Sequence, residues 1–240
     1  MADTTLELTT PDGPMPLYEA APDGEATGAV IVIQEAFGVN AHIRDVTRRV
    51  AAAGYHAVAP ALFHRSGSGS IDDYDNIDFN EVFKMFEGVS DDGVLMDADA
   101  ALDHLHAKDF TDDHIGIVGF CFGGRVTFLV AARRALGAAV GFYGGGIVSQ
   151  GHFPFPPLIG ESATLKTPWL GLFGDADEGI PVADVEKLRE ALRDAPVDTD
   201  IVRYPGAEHG FNCDVRASYH PEAAADAWGR ALAFFEKHLA

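Results

Sequence analysis

From Gly28 to the C-terminus, short apolar runs alternate with longer amphipathic ones, and few folds accommodate that rhythm. A strand that is apolar at every position must be covered on both faces, which is the situation of a parallel sheet flanked by crossover helices. Ala29-Val-Ile-Val-Ile33 is such a run. The segment after it, residues 41–53, reads as a helix opened by Asn40 as N-cap and closed by Gly54. Further strands are expected at residues 56–62, 115–120, 138–143, 168–173 and 200–204. Helices are expected at 94–107, 124–136, 182–193 and 221–239, the last accepting Pro221 in its first turn. Ahead of Gly28, residues 6–10 and 16–20 can pair as a hairpin around Asp12-Gly13. The expected fold class is therefore α/β, with a mostly parallel central sheet and helices on both faces, in one domain spanning residues 1–240.

A chain of 240 residues is long enough for one large core, and 47% hydrophobic with 22% charged residues is the composition of a soluble globule. Thirty-seven acidic against seventeen basic residues leave a formal charge of −20. A field of that sign repels nucleic acid and anionic membrane surfaces, so a small-molecule partner is expected instead. Cys121 and Cys213 are the only cysteines, too few for a disulfide scaffold, and a reducing cytoplasm fits them. The first 22 residues hold no basic side chain and no apolar run, so no signal or transit peptide is expected there. No apolar run reaches membrane-spanning length. A monomer or small homo-oligomer is expected.

Two stretches break the rhythm. Residues 66–93 begin Ser-Gly-Ser-Gly-Ser and carry Asp72, Asp73, Asp75, Asp78, Glu81, Glu87, Asp91 and Asp92 against a single Lys84. They read as a solvated, mobile cap or loop at the mouth of a site. Residues 144–166 are rich in Gly, Pro and Phe and suit the same location.

Gly119-Phe-Cys-Phe-Gly-Gly124 follows an apolar strand and precedes a helix, the context of a nucleophile elbow. Small residues on either side of Cys121 allow the sharp turn, and a helix N-terminus favours a thiolate through its free N–H groups and dipole. A thiolate needs an imidazole partner. His104, His106 and His238 fall on helix faces expected to be exposed, whereas His209 lies in the glycine-flanked loop Gly206-Ala-Glu-His-Gly-Phe211 after a strand. An orienting acid between nucleophile and base in chain order is available in Gly174-Asp-Ala-Asp-Glu-Gly-Ile-Pro181, where Asp175, Asp177 and Glu178 all qualify by spacing. Backbone N–H groups in Gln34-Glu-Ala-Phe-Gly38, together with that of Phe122, suit an oxyanion hole worth about 3–4 kcal/mol in an acyl transfer. Glu35, an acid at the end of a buried strand, is either an ion-pair partner of an arginine in the next helix or a charge that manages the thiol's proton.

Taken together, these segments resemble the dienelactone hydrolase family of the α/β-hydrolase superfamily. The resemblance also takes in residues 58–62, 141–144 and His209-Gly-Phe211, nearly the whole chain. It implies Cys121 as nucleophile, His209 as base, and Asp177 as orienting acid because the family's acid stands four residues before its proline. It further implies Glu35 as the family's extra glutamate, Ala36 and Phe122 as oxyanion-hole donors, and Tyr143 as a position near the substrate. Members that open dienelactones grip the substrate's carboxylate with two arginines, one before the nucleophile and one four residues after the histidine. Here Cys213 occupies the second place, and no arginine occurs between Arg65 and Arg125.

The expected activity is thus hydrolysis of a neutral ester or lactone by a Cys-His-Asp triad, with no cofactor and no metal. The rival is a non-hydrolytic ligand-binding or thiol redox-sensing protein on the same fold, in which Cys121 and Cys213 react with oxidants. A Cys121/Cys213/His209 metal site has no familiar ligand spacing behind it.

Overall fold

The structure, a computed structural model, describes residues 2–67, 69–151 and 153–239. Eight strands form one sheet: β1 (Ala2–Thr10), β2 (Gly13–Ala21), β3 (Ala29–Ile33), β4 (His56–Pro60), β5 (Ile115–Phe120), β6 (Ala138–Phe142), β7 (Trp169–Gly174) and β8 (Thr199–Tyr204). Their spatial order is β1-β2-β4-β3-β5-β6-β7-β8. The β1–β2 hairpin turns at Pro11-Asp12, one residue earlier than the sequence suggests, with Gly13 opening β2 at φ 115°, and β2 joins β4 antiparallel. From β4 to β8 every pairing is parallel. Strands β3, β5, β6 and β7 are buried at every residue, as an α/β-hydrolase sheet covered on both faces requires.

Among the described residues six α-helices provide the cover: α1 (Ala41–Ala52), α2 (Phe79–Met85), α3 (Asp91–His106), α4 (Phe122–Arg133), α5 (Val182–Ala191) and α6 (Pro221–His238). Asn40 caps α1, its side chain accepting the Ile43 N–H at 3.1 Å. The Arg49 guanidinium of α1 lies over the Trp228 ring of α6, so these two helices share a face. Helices α3 and α4 are tied by Arg134–Asp99 and Arg125–Asp91. All of α4 from Phe122 to Ala132 is buried. A helix buried around its whole circumference is packed on every side, and α4 runs against β3, β5, β6 and β7 as well as α3, with the buried Arg125 paired to Asp91. Among the described residues no helix is long and apolar enough to cross a membrane.

Residues 66–93 differ from the sequence expectation because they contain a helix. Asp78 caps α2 by accepting the Asn80 N–H at 2.8 Å, and Val82 and Met85 turn inward. Helix α3 also starts earlier than residue 94, since Ser90 Oγ accepts the Gly93 N–H and Asp91 and Asp92 favour its positive end. Several acids that read as solvated charge are structural: Asp72 accepts the Ala41 N–H at 2.7 Å, and Asp91 holds Arg125. Ile71 anchors the segment to the loop after β3 through its N–H to Phe37 O.

The parallel register places the chemistry. Ile33 pairs with Gly119, Phe120 with Phe142, and Gly174 with Tyr204. The loops leaving β3, β5, β7 and β8 therefore emerge along one edge, and they carry Glu35, Cys121, Asp177 and His209 respectively.

Candidate active site

Cys121 is the N-cap of α4 with φ 56° and ψ −114°, a positive-φ conformation that costs a non-glycine residue energy. Its N–H is held by Phe142 O at 3.0 Å. The flanking glycines explain how the strain persists. A Cβ on Gly119 would sit 2.1 Å from Gly123 O, and one on Gly123 would sit 2.5 Å from Ile33 O. No side chain fits at either place, so β5 can turn into α4 only with glycine there. Helix α4 begins at Phe122, two residues before the sequence pattern suggested, because the turn is tighter than a capped loop.

His209 Nδ1 donates to Asp177 Oδ2 at 2.7 Å, and Asp177 Oδ1 accepts the Gly179 N–H at 2.9 Å. Asp175 is turned away and grips Arg203 with both oxygens at 2.7 and 2.9 Å, while Glu178 is exposed. Of the three acids that spacing leaves open, Asp177 is the one hydrogen-bonded to the imidazole among the described residues. Burial disfavours charge on His209, but the Cys121 sulfur and the Asp177 carboxylate outweigh it and hold the ring up at about 10. The other side of the ring meets Tyr143, with centroids 5.1 Å apart. Tyr143 is fully buried, with φ 38° and a hydroxyl that has no hydrogen-bond partner among the described residues.

Ala36 and Phe122 lie on the cleft with Cys121 between the loop after β3 and the start of α4. As the first residue of α4, Phe122 has no intrahelical acceptor for its N–H. The two positions expected to hold an oxyanion therefore line the same cleft as the sulfur.

Glu35 is fully buried, and its partner is not an arginine of α1. Arg216 Nη1 reaches Oε1 at 3.5 Å, and the Tyr74 hydroxyl donates to Oε2 at 3.2 Å. Asn40 Nδ2 in turn donates to the Tyr74 oxygen at 2.8 Å. Cys213, also fully buried, has its thiol pushed up to about 12 by burial and the Glu35 charge. Both cysteines are free thiols. Sequence reasoning missed Tyr74, which lay in a stretch read as loop. It also missed Arg216, three positions beyond the site where an arginine was sought and the sole arginine between Arg203 and Arg230.

Ala36, Cys121, Phe122, Asp177, His209 and Arg216 line a cleft of about 700 Å³. Phe37, Phe79, Phe83, Phe122, Phe153 and Phe155 form much of its wall. Two arginines also line it, and neither is uncommitted. Arg125 donates to both oxygens of Asp91 and to Pro156 O, and Arg216 faces Glu35. Glu178 and Glu208 add negative charge at the rim.

The sequence profile of the dienelactone hydrolase family matches residues 15–239. A Yersinia pestis protein named "Putative carboxymethylenebutenolidase" is 42% identical over 229 residues, covering 93% of this chain and 84% of that protein. One of the same name from Synechocystis is 40% identical over 211 residues, or 88% and 86% of the two chains. Among solved structures, a chain described as "Putative Dienelactone Hydrolase" from Klebsiella pneumoniae superposes with a TM-score of 0.87 at 40% identity, covering 99% of this chain and all of its own.

Proposed function

The chain belongs to the dienelactone hydrolase family and is an ester or lactone hydrolase, and we propose that it works through a Cys121-His209-Asp177 triad on a neutral ester or lactone. The observation that carries this reading is the 2.7 Å contact of Asp177 with His209 on the same cleft that Cys121 lines.

In the proposed reaction the Cys121 thiolate attacks the carbonyl carbon, forming a C–S bond, and the N–H groups of Ala36 and Phe122 hold the oxyanion. Collapse of that intermediate breaks the bond to the leaving alkoxide, which takes its proton from His209 Nε2. Neutral His209 then draws a proton from water as the oxygen attacks the thioester carbonyl. Cys121 departs as thiolate and the acid product leaves. Asp177 keeps Nδ1 as the donor, so that Nε2 faces the reacting atoms throughout. Glu35 is proposed to manage the thiol's proton, exchanging its Arg216 contact to do so. A cell compartment that keeps Cys121 reduced, the cytoplasm, suits this chemistry.

Neutral substrates follow from the charges on the cleft wall. Arg125 and Arg216 are each opposed by a buried or half-buried carboxylate, and the remaining rim charges are acidic. A substrate carboxylate has to compete with Asp91 or Glu35 for its guanidinium. The test compares kcat/KM for a neutral aryl ester and a carboxylate-bearing lactone, in wild type and Cys121→Ala. Loss of turnover in the variant and preference for the neutral substrate are expected. Undiminished turnover in Cys121→Ala removes the nucleophile, and preference for the anion removes the substrate class.

A further inference from the structure

We propose that Glu35, His42 and Cys213 form a buried binding site for one divalent cation of the zinc class, beneath the cleft floor. The three come from the loop after β3, from α1 and from the loop after His209. One ligand atom from each, a carboxylate oxygen, an imidazole nitrogen and a sulfur, all lie within 4.8 Å of one another. Ligand atoms about 2.0–2.3 Å from a tetrahedral zinc lie about 3.3–3.7 Å apart, so closing the site needs side-chain shifts of about 1 Å.

An independent observation points to a ligand. His42 is 5% exposed, and its Nε2 has no hydrogen-bond partner among the described residues. A buried ring nitrogen without a partner is costly and calls for an occupant. The Tyr143 hydroxyl is likewise buried without a partner among the described residues, and burial together with the Glu35 and Cys213 charges pushes it well above the usual phenol range.

The donor set selects the ion. Oxygen-seeking Mg²⁺ and Ca²⁺ are poorly served by one sulfur and one imidazole, whereas zinc and cobalt accept sulfur, nitrogen and oxygen together. Charge also balances: on binding, the Cys213 S–H bond breaks, an S–metal bond forms and the proton passes to the buffer. Carboxylate and thiolate then neutralise the dication, and Arg216 faces a neutral centre. Arg216 contributes to the cleft wall as well as to the Glu35 pair, so its displacement gives the ion a path inward. His209, by contrast, is already held by Asp177, and the trio Cys121/Cys213/His209 is not the one the fold assembles.

Titrating Cys121→Ala protein with Co²⁺ isolates the site from the triad, because Cys213 is then the sole cysteine in the chain. One equivalent should bind with a sulfur-to-cobalt charge-transfer band in the near ultraviolet, and Zn²⁺ should displace it. Cys213→Ser in that background should abolish the band, and His42→Gln should weaken Zn²⁺ binding at least tenfold by calorimetry. Absence of a charge-transfer band in Cys121→Ala protein overturns the site, as does Zn²⁺ affinity unaltered by His42→Gln. Should either added substitution prevent folding, as judged by circular dichroism, the band in Cys121→Ala protein alone decides. Failure here leaves the triad reading untouched, since binding is measured without the nucleophile.

Discussion

Arg216 Nη1 stands 3.5 Å from Glu35 Oε1, joining residues 181 positions apart across the floor of the cleft. Glu35 is fully buried, so removing the guanidinium leaves a carboxylate whose remaining donor is Tyr74. Breaking a buried pair from one side costs about 3–5 kcal/mol, and the Tyr74 hydrogen bond places Arg216→Ala at the low end, about 3 kcal/mol. Glu35→Gln on top of Arg216→Ala should recover much of that loss by removing the unpaired charge. Urea unfolding of wild type, Arg216→Ala, Glu35→Gln and the double variant measures the coupling. Stability of Arg216→Ala within about 0.5 kcal/mol of wild type, the range of ordinary surface changes, contradicts the pairing.

His209 gives a prediction with a definite sign. Its pKa is raised from 6.5 to about 10, and the leading raising cause is the Cys121 sulfur, ahead of Asp177. A raised imidazole favours the folded state fully below its unfolded value near 6.5, and that contribution is lost as pH climbs through about 10. Cys121→Ala should therefore lower the His209 pKa while leaving the Asp177 contribution in place. Nitrogen-detected NMR titration of the ring in both proteins reads this directly. An identical titration curve in the two proteins rules out electrostatic coupling between the sulfur and the imidazole.

Two neighbouring aspartates should behave oppositely. Asp177 partners His209, so Asp177→Asn disturbs the tautomer that faces Cys121, and kcat should fall at least about a hundredfold. Asp175 serves Arg203, which keeps Glu186 as a second partner. Asp175→Asn should cost no more than about 1 kcal/mol of stability, and kcat should stay within about twofold of wild type. Steady-state kinetics on one activated ester settles the assignment, and the reverse pattern transfers the role to Asp175.

The strands were legible because burial on both faces leaves an unmistakable apolar run, as in Ala29–Ile33. The elbow was legible for a stricter reason, since Gly119 and Gly123 stand where no Cβ fits, and a steric requirement of that kind appears in the residue types themselves. What stayed hidden was long-range pairing. Nothing local in Arg216 announces Glu35, and nothing in Asp72 or Asp91 separates a capping or ion-pairing acid from a solvated one. The position of Tyr143 along the chain fixes which strand end it occupies but not which way the ring turns, and the ring packs 5.1 Å from that of His209. Helix α2 and its C-cap Phe86 place Phe79, Val82, Phe83 and Phe86 at helical spacing, a pattern that the surrounding acids obscured.

That short helix also bears on which substrates the cleft accepts. Phe79 and Phe83 are 65% and 51% exposed, an uncommon state for two aromatics one turn apart, and both line the cleft. Phe83 lies 6.1 Å from Phe153, which stacks on Phe86 at 3.9 Å, so the exposed rings extend a packed aromatic wall. A bulky acyl group laid against either ring removes about 40 Å² of apolar surface from water, worth ~1 kcal/mol or a factor of about five. Phe79→Ala and Phe83→Ala should each lower kcat/KM about fivefold for hexanoate or benzoate esters, leave acetate esters nearly unaffected, and change stability by no more than about 0.5 kcal/mol. Measuring kcat/KM along a series of p-nitrophenyl esters of increasing acyl size checks the wall, because a loss that is uniform from acetate to benzoate means the rings act on folding or on the leaving group and not on the acyl chain.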